Sequence, residues 1–267
     1  MKITFLGTGT SIGVPQIGCQ CEVCTSSDPR NRRLRASALF EEGDTRLLVD
    51  CGPDFREQML RIKMTEPLSA VLITHEHYDH VGGIDDLRPF TFEHNLPLFA
   101  DDYTCRHLRQ RLPYCLVRHT YPGIPKLELH ELKEGDKLQF GSLEVTAIRV
   151  MHGELPILGY RIGDVAYLTD MTELFDSSLP LLCGIKLLII GALRHTPHKT
   201  HQTVQHAMEF SRSLGNIPTY FIHMSHQVGL HEVEEQKLPQ GFHYAYDGLV
   251  IETLDGKFTQ KKLPVLS

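Results

Sequence analysis

Five apolar runs in this chain each end on an aspartate or a histidine, and that repetition constrains the fold more than any other feature. Leu47-Leu48-Val49 leads to Asp50, Val71-Leu72-Ile73-Thr74 to His75, and Val145 to Val150 to His152. Tyr167-Leu168-Thr169 leads to Asp170, and Thr219-Tyr220-Phe221-Ile222 to His223. Short apolar runs rich in β-branched and aromatic residues read as buried strands. In an open α/β sheet, ligands bind in the crevice beyond the carboxyl ends of the strands. Histidines scattered over a surface would not fall there repeatedly.

The full set of β-rich runs is Lys2–Leu6, Ser37–Glu41, Arg46–Val49, Ala70–Thr74, Lys126–Leu129, Leu143–Val150, Leu158–Ile162, Val165–Leu168, Lys186–Ile190, Thr219–Ile222 and Leu249–Leu254. Helical patterns lie between them. Asp54 is placed to cap a helix carrying Phe55, Met59 and Ile62 on one face, and Asp101–Leu112 and Thr203–Leu214 also read as helices. No fixed-period repeat, low-complexity linker or composition break divides the chain. The expectation is one α/β domain over residues 1–267, with sheets packed between helices. At 41% hydrophobic and 22% charged residues, the chain has the material for a full core. The longest apolar stretch, Leu179 to Leu193, is too short for a bilayer and is broken by Pro180, Gly184 and Lys186. The apolar run at the start is too brief for a signal peptide, so a cytoplasmic protein without a membrane partner is expected. A formal charge of −6 argues against a generic polyanion binder.

The densest chemical signal is Thr74-His75-Glu76-His77-Tyr78-Asp79-His80, followed by Gly82-Gly83. Three imidazoles and two carboxylates stand directly after a buried strand, where desolvating them unpaired is expensive. His75 and His77 alternate on extended backbone and point the same way, while Asp79 and His80 continue into a turn. That geometry can serve two neighbouring metal ions, His75 with His77 on one and Asp79 with His80 on the other. Histidine with carboxylate suits zinc best, and manganese or iron is also accepted.

The seven cysteines are an odd count, with three crowded into Cys19-Gln-Cys21-Glu-Val-Cys24 and Cys51, Cys105, Cys115 and Cys183 scattered singly. In a reducing compartment this reads as a metal cluster plus buried thiols. Other polar residues read as background. Arg30, Arg32, Arg33 and Arg35 form a basic run read as a solvated face, and Arg106, Arg109, Arg111 and Arg118 read as helix and loop surface. His94, His107, His119, His130, His206, His231 and His243 have no motif context. Gly7-Thr8-Gly9-Thr10 lacks the Gly-Lys-Ser/Thr ending of a nucleotide-binding loop.

The His-x-His-x-Asp-His run resembles that of the metallo-β-lactamase-fold hydrolases, and Asp50 before it and His152, Asp170 and His223 after it stand in that family's order. The resemblance implies an αββα sandwich, two mixed sheets between helices. It also implies one metal on His75, His77 and His152 and a second on Asp79, His80 and His223. Asp170 would bridge them, with Asp50 behind a ligand imidazole. A closer resemblance, over nearly the whole chain, is to PhnP-type phosphodiesterases, which open cyclic phosphates of ribose. It is carried by Gly7-Thr8-Gly9-Thr10, Gly13-Val14-Pro15, Gly18-Cys19-Gln20-Cys21 and Cys24 near the start. Near the other end it is carried by His223-Met224-Ser225-His226-Gln227, Leu238-Pro239-Gln240-Gly241-Phe242 and Asp247-Gly248. This resemblance implies a separate structural zinc on Cys19, Cys21, Cys24 and His226. A Cys-x-Cys-x-x-Cys run alone lacks a fourth ligand, which His226 could supply.

The implied activity is a dinuclear, zinc- or manganese-dependent phosphodiesterase acting on a small cyclic phosphate such as phosphoribosyl 1,2-cyclic phosphate. A hydroxide bridging the metals would attack phosphorus. His201, similar in placement to a family histidine proposed as general acid, would protonate the leaving oxygen, so that His201 and Asp79 are the expected catalytic residues. One rival is an RNA endonuclease of the tRNA 3′-end type, which would need a protruding arm that no segment here supplies. A second is a non-catalytic metal-binding protein. The expected partner is therefore a small cyclic phosphate and not nucleic acid, and a homodimer is compatible with the sequence.

Overall fold

Neighbouring residues of the central strands are buried on opposite faces, which is why these strands read as continuous apolar runs instead of alternating ones. In the computed structural model, which describes residues 1–117, 123–254 and 257–262, sixteen strands and six α-helices account for this. Arg118 and His119 lie outside the described residues.

In chain order the first elements are β1 (Lys2–Gly7), β2 (Ser37–Glu42), β3 (Thr45–Val49), α1 (Phe55–Arg61), β4 (Ala70–Leu72), α2 (Tyr78–Val81) and β5 (Leu96–Ala100). Next come α3 (Asp102–Arg111), α4 (Pro113–Leu116), β6 (Leu127–Glu131), β7 (Lys137–Phe140), β8 (Leu143–His152), β9 (Leu155–Ile162) and β10 (Val165–Leu168). The chain continues with β11 (Glu173–Leu174), β12 (Leu187–Gly191), α5 (Val204–Ser213), β13 (Thr219–Ile222) and α6 (His231–Glu235). It ends with β14 (Phe242–Tyr244), β15 (Leu249–Leu254) and β16 (Lys257–Lys262).

One sheet has the order β16-β15-β1-β2-β3-β4-β5-β6, and the other β11-β8-β9-β10-β12-β13-β14 with β7 paired to β8. Both are mixed. Strands β3 to β6 run parallel in the first, and β10, β12, β13 and β14 in the second. Phe5, Phe40, Leu47 and Leu72 of the first sheet meet Tyr160, Tyr167, Leu187 and Ile189 of the second in a shared core. The alternate residues face outward: Leu39, Leu48 and Val71 pack on Phe55 and Met59 of α1 and Leu108 of α3. On the far side, Leu188, Ile190 and Phe221 pack on Val204 and Ala207 of α5. The layers are helix, sheet, sheet, helix. Each fully buried Leu, Ile or Phe in them contributes on the order of 1.5–3 kcal/mol over leaving it exposed.

Cross-sheet bonds tie the exit of β4 to the second sheet. Leu158 N donates to Thr74 O at 3.0 Å, and the Tyr160 hydroxyl donates to Ile73 O at 2.6 Å. The carboxyl ends of both parallel sets thereby open at one edge of the sandwich. Among the described residues no helix is long and apolar enough to cross a membrane.

Two local expectations are corrected. Asp54 precedes α1 but does not cap it: its carboxylate accepts from Arg35 N at 2.8 Å and from the Arg35 guanidinium at 3.0 Å. The basic run is also not a solvated face. Arg33 is 5% exposed, Arg30 pairs with Asp28 and Arg35 with Asp54, and only Arg32 stays open to solvent. Strands β5, β7, β11, β14 and β16 carry no sequence expectation. Pro97 inside β5 removes a backbone donor and hides a strand that nonetheless pairs on both sides. Asp101 and Thr203 do cap their helices, accepting from Thr104 N and His206 N.

Candidate active site

The strand ends converge. Asp50 leaves β3, His75 follows β4, His152 ends β8, Asp170 follows β10 and His223 follows β13. Asp79 and His80 sit on the single turn of α2 directly behind His77. Three of these residues turn sharply out of their strands in the left-handed backbone region: Asp50 at φ 60°, Asp170 at 53° and His223 at 57°. Asp and His tolerate that region better than branched residues, and its cost marks a place where the surrounding fold dictates side-chain direction. Close packing assists the turns. Gly52 lies against the Asp79 carbonyl and Gly83 against the Gly52 carbonyl, and a Cβ at either position would collide with those oxygens.

Buried partners fix the imidazole rings. Asp50 Oδ1 accepts from Thr74 N at 2.8 Å, and Asp50 Oδ2 holds His80 Nδ1 at 2.7 Å. His75 Nδ1 lies 3.0 Å from Thr74 Oγ1, and His152 Nδ1 donates to Thr200 O at 2.7 Å. With Nδ1 engaged in this way, His75 and His152 turn their Nε2 lone pairs inward. His75 Nε2 then lies only 3.0 Å from His77 Nδ1, within hydrogen-bond distance. On the other side His80 Nε2 lies 3.1 Å from Asp79 Oδ2 and 3.2 Å from Asp170 Oδ2, buried and without a well-directed hydrogen bond among the described residues. His223 Nε2 is 3.2 Å from Asp170 Oδ1 and 3.4 Å from Asp79 Oδ2.

Two groups follow. The donor atoms of His75, His77 and His152 lie within 4.8 Å of one another, as do those of Asp79, His80 and His223, and Asp170 reaches both sides. Burial alone would raise Asp79 and Asp170, but the His80 and His223 imidazoles override it and hold both carboxyls below their usual range. Burial would likewise lower His80, yet the carboxylates of Asp79, Asp50 and Asp170 push it well above the ordinary imidazole value. Burial drives His75 well down, and repulsion from His80 adds to it. Inward lone pairs facing ionised carboxylates are a donor set suited to divalent cations.

His201 also reaches this site. Its Nδ1 is 3.2 Å from Asp170 Oδ1, and its ring stacks on His223 with centroids 4.9 Å apart. Burial lowers its pKa to about 3, against the pull of Asp170, so the imidazole is neutral near pH 7. Its nearness to His152 and Asp170 also makes it a potential ligand. His198 and His195 stay outside. His198 is exposed at the rim, and His195 bonds Val228 O and Glu234.

The cysteine cluster is a second, separate assembly. Cys19, Cys21, Cys24 and His226 bring their donor atoms within 4.8 Å of one another, all four partly exposed. His226 Nδ1 is 3.2 Å from Cys21 Sγ and 3.5 Å from Cys19 Sγ. That contact lowers the Cys21 thiol to about 6, while desolvation raises Cys24 to about 11. Sequence reasoning missed the residues that hold these clusters in place: Thr74, Thr200, Arg33 and His231. The hydroxyl directly before His75 was the available signal for the first. Nothing in the sequence marked Arg33, whose guanidinium donates to Thr8 Oγ1 at 2.9 Å and to Ala245 O at 2.5 Å.

The comparisons with known proteins agree with this layout. The family model for the beta-lactamase superfamily domain matches residues 45–224. The crystal structure of a diphosphatase from the PhnP family superposes with a TM-score of 0.87 at 39% identity, covering 95% of this chain and 98% of that one. An octanoyltransferase of Porphyromonas gingivalis is 43% identical over 251 residues, 93% of this chain and 51% of that protein. Ribonuclease Z of Thermosynechococcus vestitus is 31% identical over 167 residues, 61% of this chain and 37% of that protein. The chain thus spans about half the length, or less, of these two curated relatives. It belongs to the beta-lactamase superfamily and, within the metallo-β-lactamase fold, to the PhnP family.

Proposed function

We propose that this chain is a metal-dependent phosphodiesterase that hydrolyses a small cyclic phosphate of the phosphoribosyl 1,2-cyclic type. The observation that carries the reading is Asp170, placed between two sets of inward-facing donors, His75, His77 and His152 on one side and Asp79, His80 and His223 on the other. Divalent cations held there would neutralise charge on the phosphoryl oxygens and make water a nucleophile near neutral pH. Zinc or manganese suits these ligands, and a further zinc suits the four cysteine-cluster donors. The chain's own residues do the rest. Asp50 and Thr200 keep His80 and His152 in one tautomer, so that their Nε2 atoms stay aimed inward.

His201 is the residue placed to manage the leaving oxygen. Neutral in the free site, it gains proton affinity when a phosphate anion enters beside it, and the imidazolium then donates to the departing alkoxide. A second reading, cleavage of a diphosphate, is favoured by the relative named a diphosphatase at 39% identity. The ribonuclease among the relatives also supports hydrolysis at phosphorus. The octanoyl transfer named for the Porphyromonas protein gains no support from the site. Cys51, next to Asp50, is fully buried and its thiol is pushed well above the ordinary range by that burial.

Phosphorus NMR of the metal-loaded protein tests both readings. Conversion of 5-phosphoribosyl 1,2-cyclic phosphate to a ribose bisphosphate is the expected result. Inertness toward it, together with cleavage of a nucleoside diphosphate derivative, would replace the first reading by the second.

A further inference from the structure

The buried imidazoles of the site are not held alike. His75, His80 and His152 each have a partner on the nitrogen turned away from the cluster: Thr74 Oγ1, Asp50 Oδ2 and Thr200 O. His223 Nδ1 is buried with no hydrogen-bond partner among the described residues. Apart from the His80 and His201 rings stacked against its faces, its direction comes from its backbone, which stands at φ 57°. That backbone is gripped by the segment leaving β1. Met224 N donates to Thr8 O at 3.0 Å, Thr10 N donates to Met224 O at 3.0 Å, and Gly9 bridges to Met224 on one side and Arg35 on the other. A Cβ at Gly9 would press on Arg33 O at 2.8 Å, so the segment is a thin wedge between residues 33–35 and His223.

One carboxylate fastens the wedge. Asp247 Oδ1 accepts from Thr8 N at 2.9 Å and from Thr8 Oγ1 at 2.8 Å, while Oδ2 accepts from Leu34 N at 2.7 Å. The Arg33 guanidinium adds its bond to Thr8 Oγ1 and is backed by His231 Nδ1 at 3.2 Å. Asp247 side-chain exposure is 5%, and Arg61 approaches Oδ2 at 3.7 Å. Burying a carboxylate and a guanidinium this deeply costs stability unless each bond is made, and a broken one leaves a buried charge uncompensated.

We propose that Asp247, acting through Thr8 and the Thr8–Met224 backbone bonds, is the positioning residue for His223. This rests on reading His223 as a metal ligand. A hydrogen bond to the ring does this work for the other three histidines; here a β-bridge does it, and Asp247 anchors the bridge. Asn at position 247 keeps an acceptor for Thr8 but offers an amide N–H to Leu34 N, which breaks one arm of the clamp.

The test is competitive zinc titration of the metal-free protein against a chromophoric chelator, for wild type, Asp247→Asn, Thr8→Ala and Thr8→Ser. Steady-state hydrolysis of bis(4-nitrophenyl) phosphate is measured alongside. Wild type is expected to bind two equivalents beyond the cysteine cluster. Asp247→Asn and Thr8→Ala are expected to bind one of them about tenfold or more weakly, the range seen when a ligand's outer partner is lost, with kcat lowered and KM unchanged. Thr8→Ser keeps the hydroxyl and both affinities. Folded Asp247→Asn with wild-type affinity at both positions would overturn the proposal, and so would equal losses in Thr8→Ser and Thr8→Ala. If Asp247→Asn does not fold, the Thr8 pair decides. Wild type taking up fewer than two equivalents overturns the dinuclear reading itself and this proposal with it, a result visible before any variant is compared.

Discussion

Two clusters of side chains able to hold a metal meet on one short turn, His223 belonging to the first and His226 to the second, yet they are built on opposite principles. The His and Asp cluster is almost wholly buried, and all of it but Asp79 and His80 of α2 leaves the ends of strands in two large sheets. His75, His80 and His152 are fixed from behind by a hydroxyl, a carboxylate and a backbone carbonyl. The cysteine cluster sits on turns between β1 and β2, partly exposed, with thiols whose main polar partners are one another and His226. The first is preorganised by the fold, while the second, read as a zinc site, would need its ion to hold the loop. Rigid scaffolds suit chemistry, where ligand geometry must survive turnover, and ion-stapled loops suit stability.

The largest effect should come from the centre of the preorganised cluster. Asp170→Ala removes the carboxylate that reaches both donor sets and should lower phosphodiesterase turnover about a thousandfold or more, several kcal/mol of transition-state stabilisation. Circular dichroism should be nearly unchanged, because the strand ends keep their packing. Near-normal rates in the purified, metal-loaded variant would break the two-metal reading. His201→Ala should cost about a hundredfold on a substrate with a poor alkoxide leaving group and less than about tenfold on a nitrophenyl ester, which hardly needs protonation. Equal losses on both would move His201 from proton donor to ligand, the alternative that its contact with Asp170 keeps open.

The two clusters also differ in how far they could be read without coordinates. His75, His77, Asp79 and His80 were legible because they crowd into one short run that follows an apolar strand. His152, Asp170 and His223 were legible because each ends such a strand, so that topology and chemistry gave the same signal. The apolar runs by themselves pointed to sheets packed between helices, and the αββα layering came from the family resemblance. Other features were not legible, since they depend on contacts between distant parts of the chain. Asp247 and Thr8 are 239 residues apart, and Arg33 and His231 are 198 apart. Arg33 looked like one of four solvated arginines because its burial is decided by a strand pairing that no local pattern records. Asp54 looked like a helix cap because the sequence does not show that Arg35 competes for it. The proline of β5 concealed a central strand because the pairing of its neighbours overrides the local propensity.

Weaker effects should appear at the cysteine cluster. Cys21→Ala should remove about one zinc per chain and lower Tm by roughly 6–12 °C, as for a loss of about 3 kcal/mol in a protein of this size. Turnover should fall less than about tenfold once the other metals are restored. An unchanged Tm and zinc count would show that the loop holds itself, erasing the contrast with the buried cluster.

The smallest effect is a difference in thiol reactivity. In the metal-free protein the His226 contact brings Cys21 to about 6, so it is mostly thiolate at pH 8, whereas desolvation leaves Cys24 near 11 and almost wholly protonated. The gap in alkylation rate is modest, since a low-pKa thiolate is the poorer nucleophile; a Brønsted slope of about 0.4–0.5 cancels much of the population advantage. The pH profile is the sharper readout. Iodoacetamide labelling of Cys21, followed by mass spectrometry, should rise through pH 6 and level off above about pH 7, while Cys24 labelling keeps climbing about tenfold per pH unit beyond pH 8. His226→Ala should return Cys21 to an ordinary thiol profile, and zinc should protect both residues. A Cys21 rate still rising between pH 8 and 9 in the unmodified chain would mean that His226 does not contact the thiol before metal arrives. The cysteine loop would then be assembled only by its ion, which would widen the difference from the strand-end cluster.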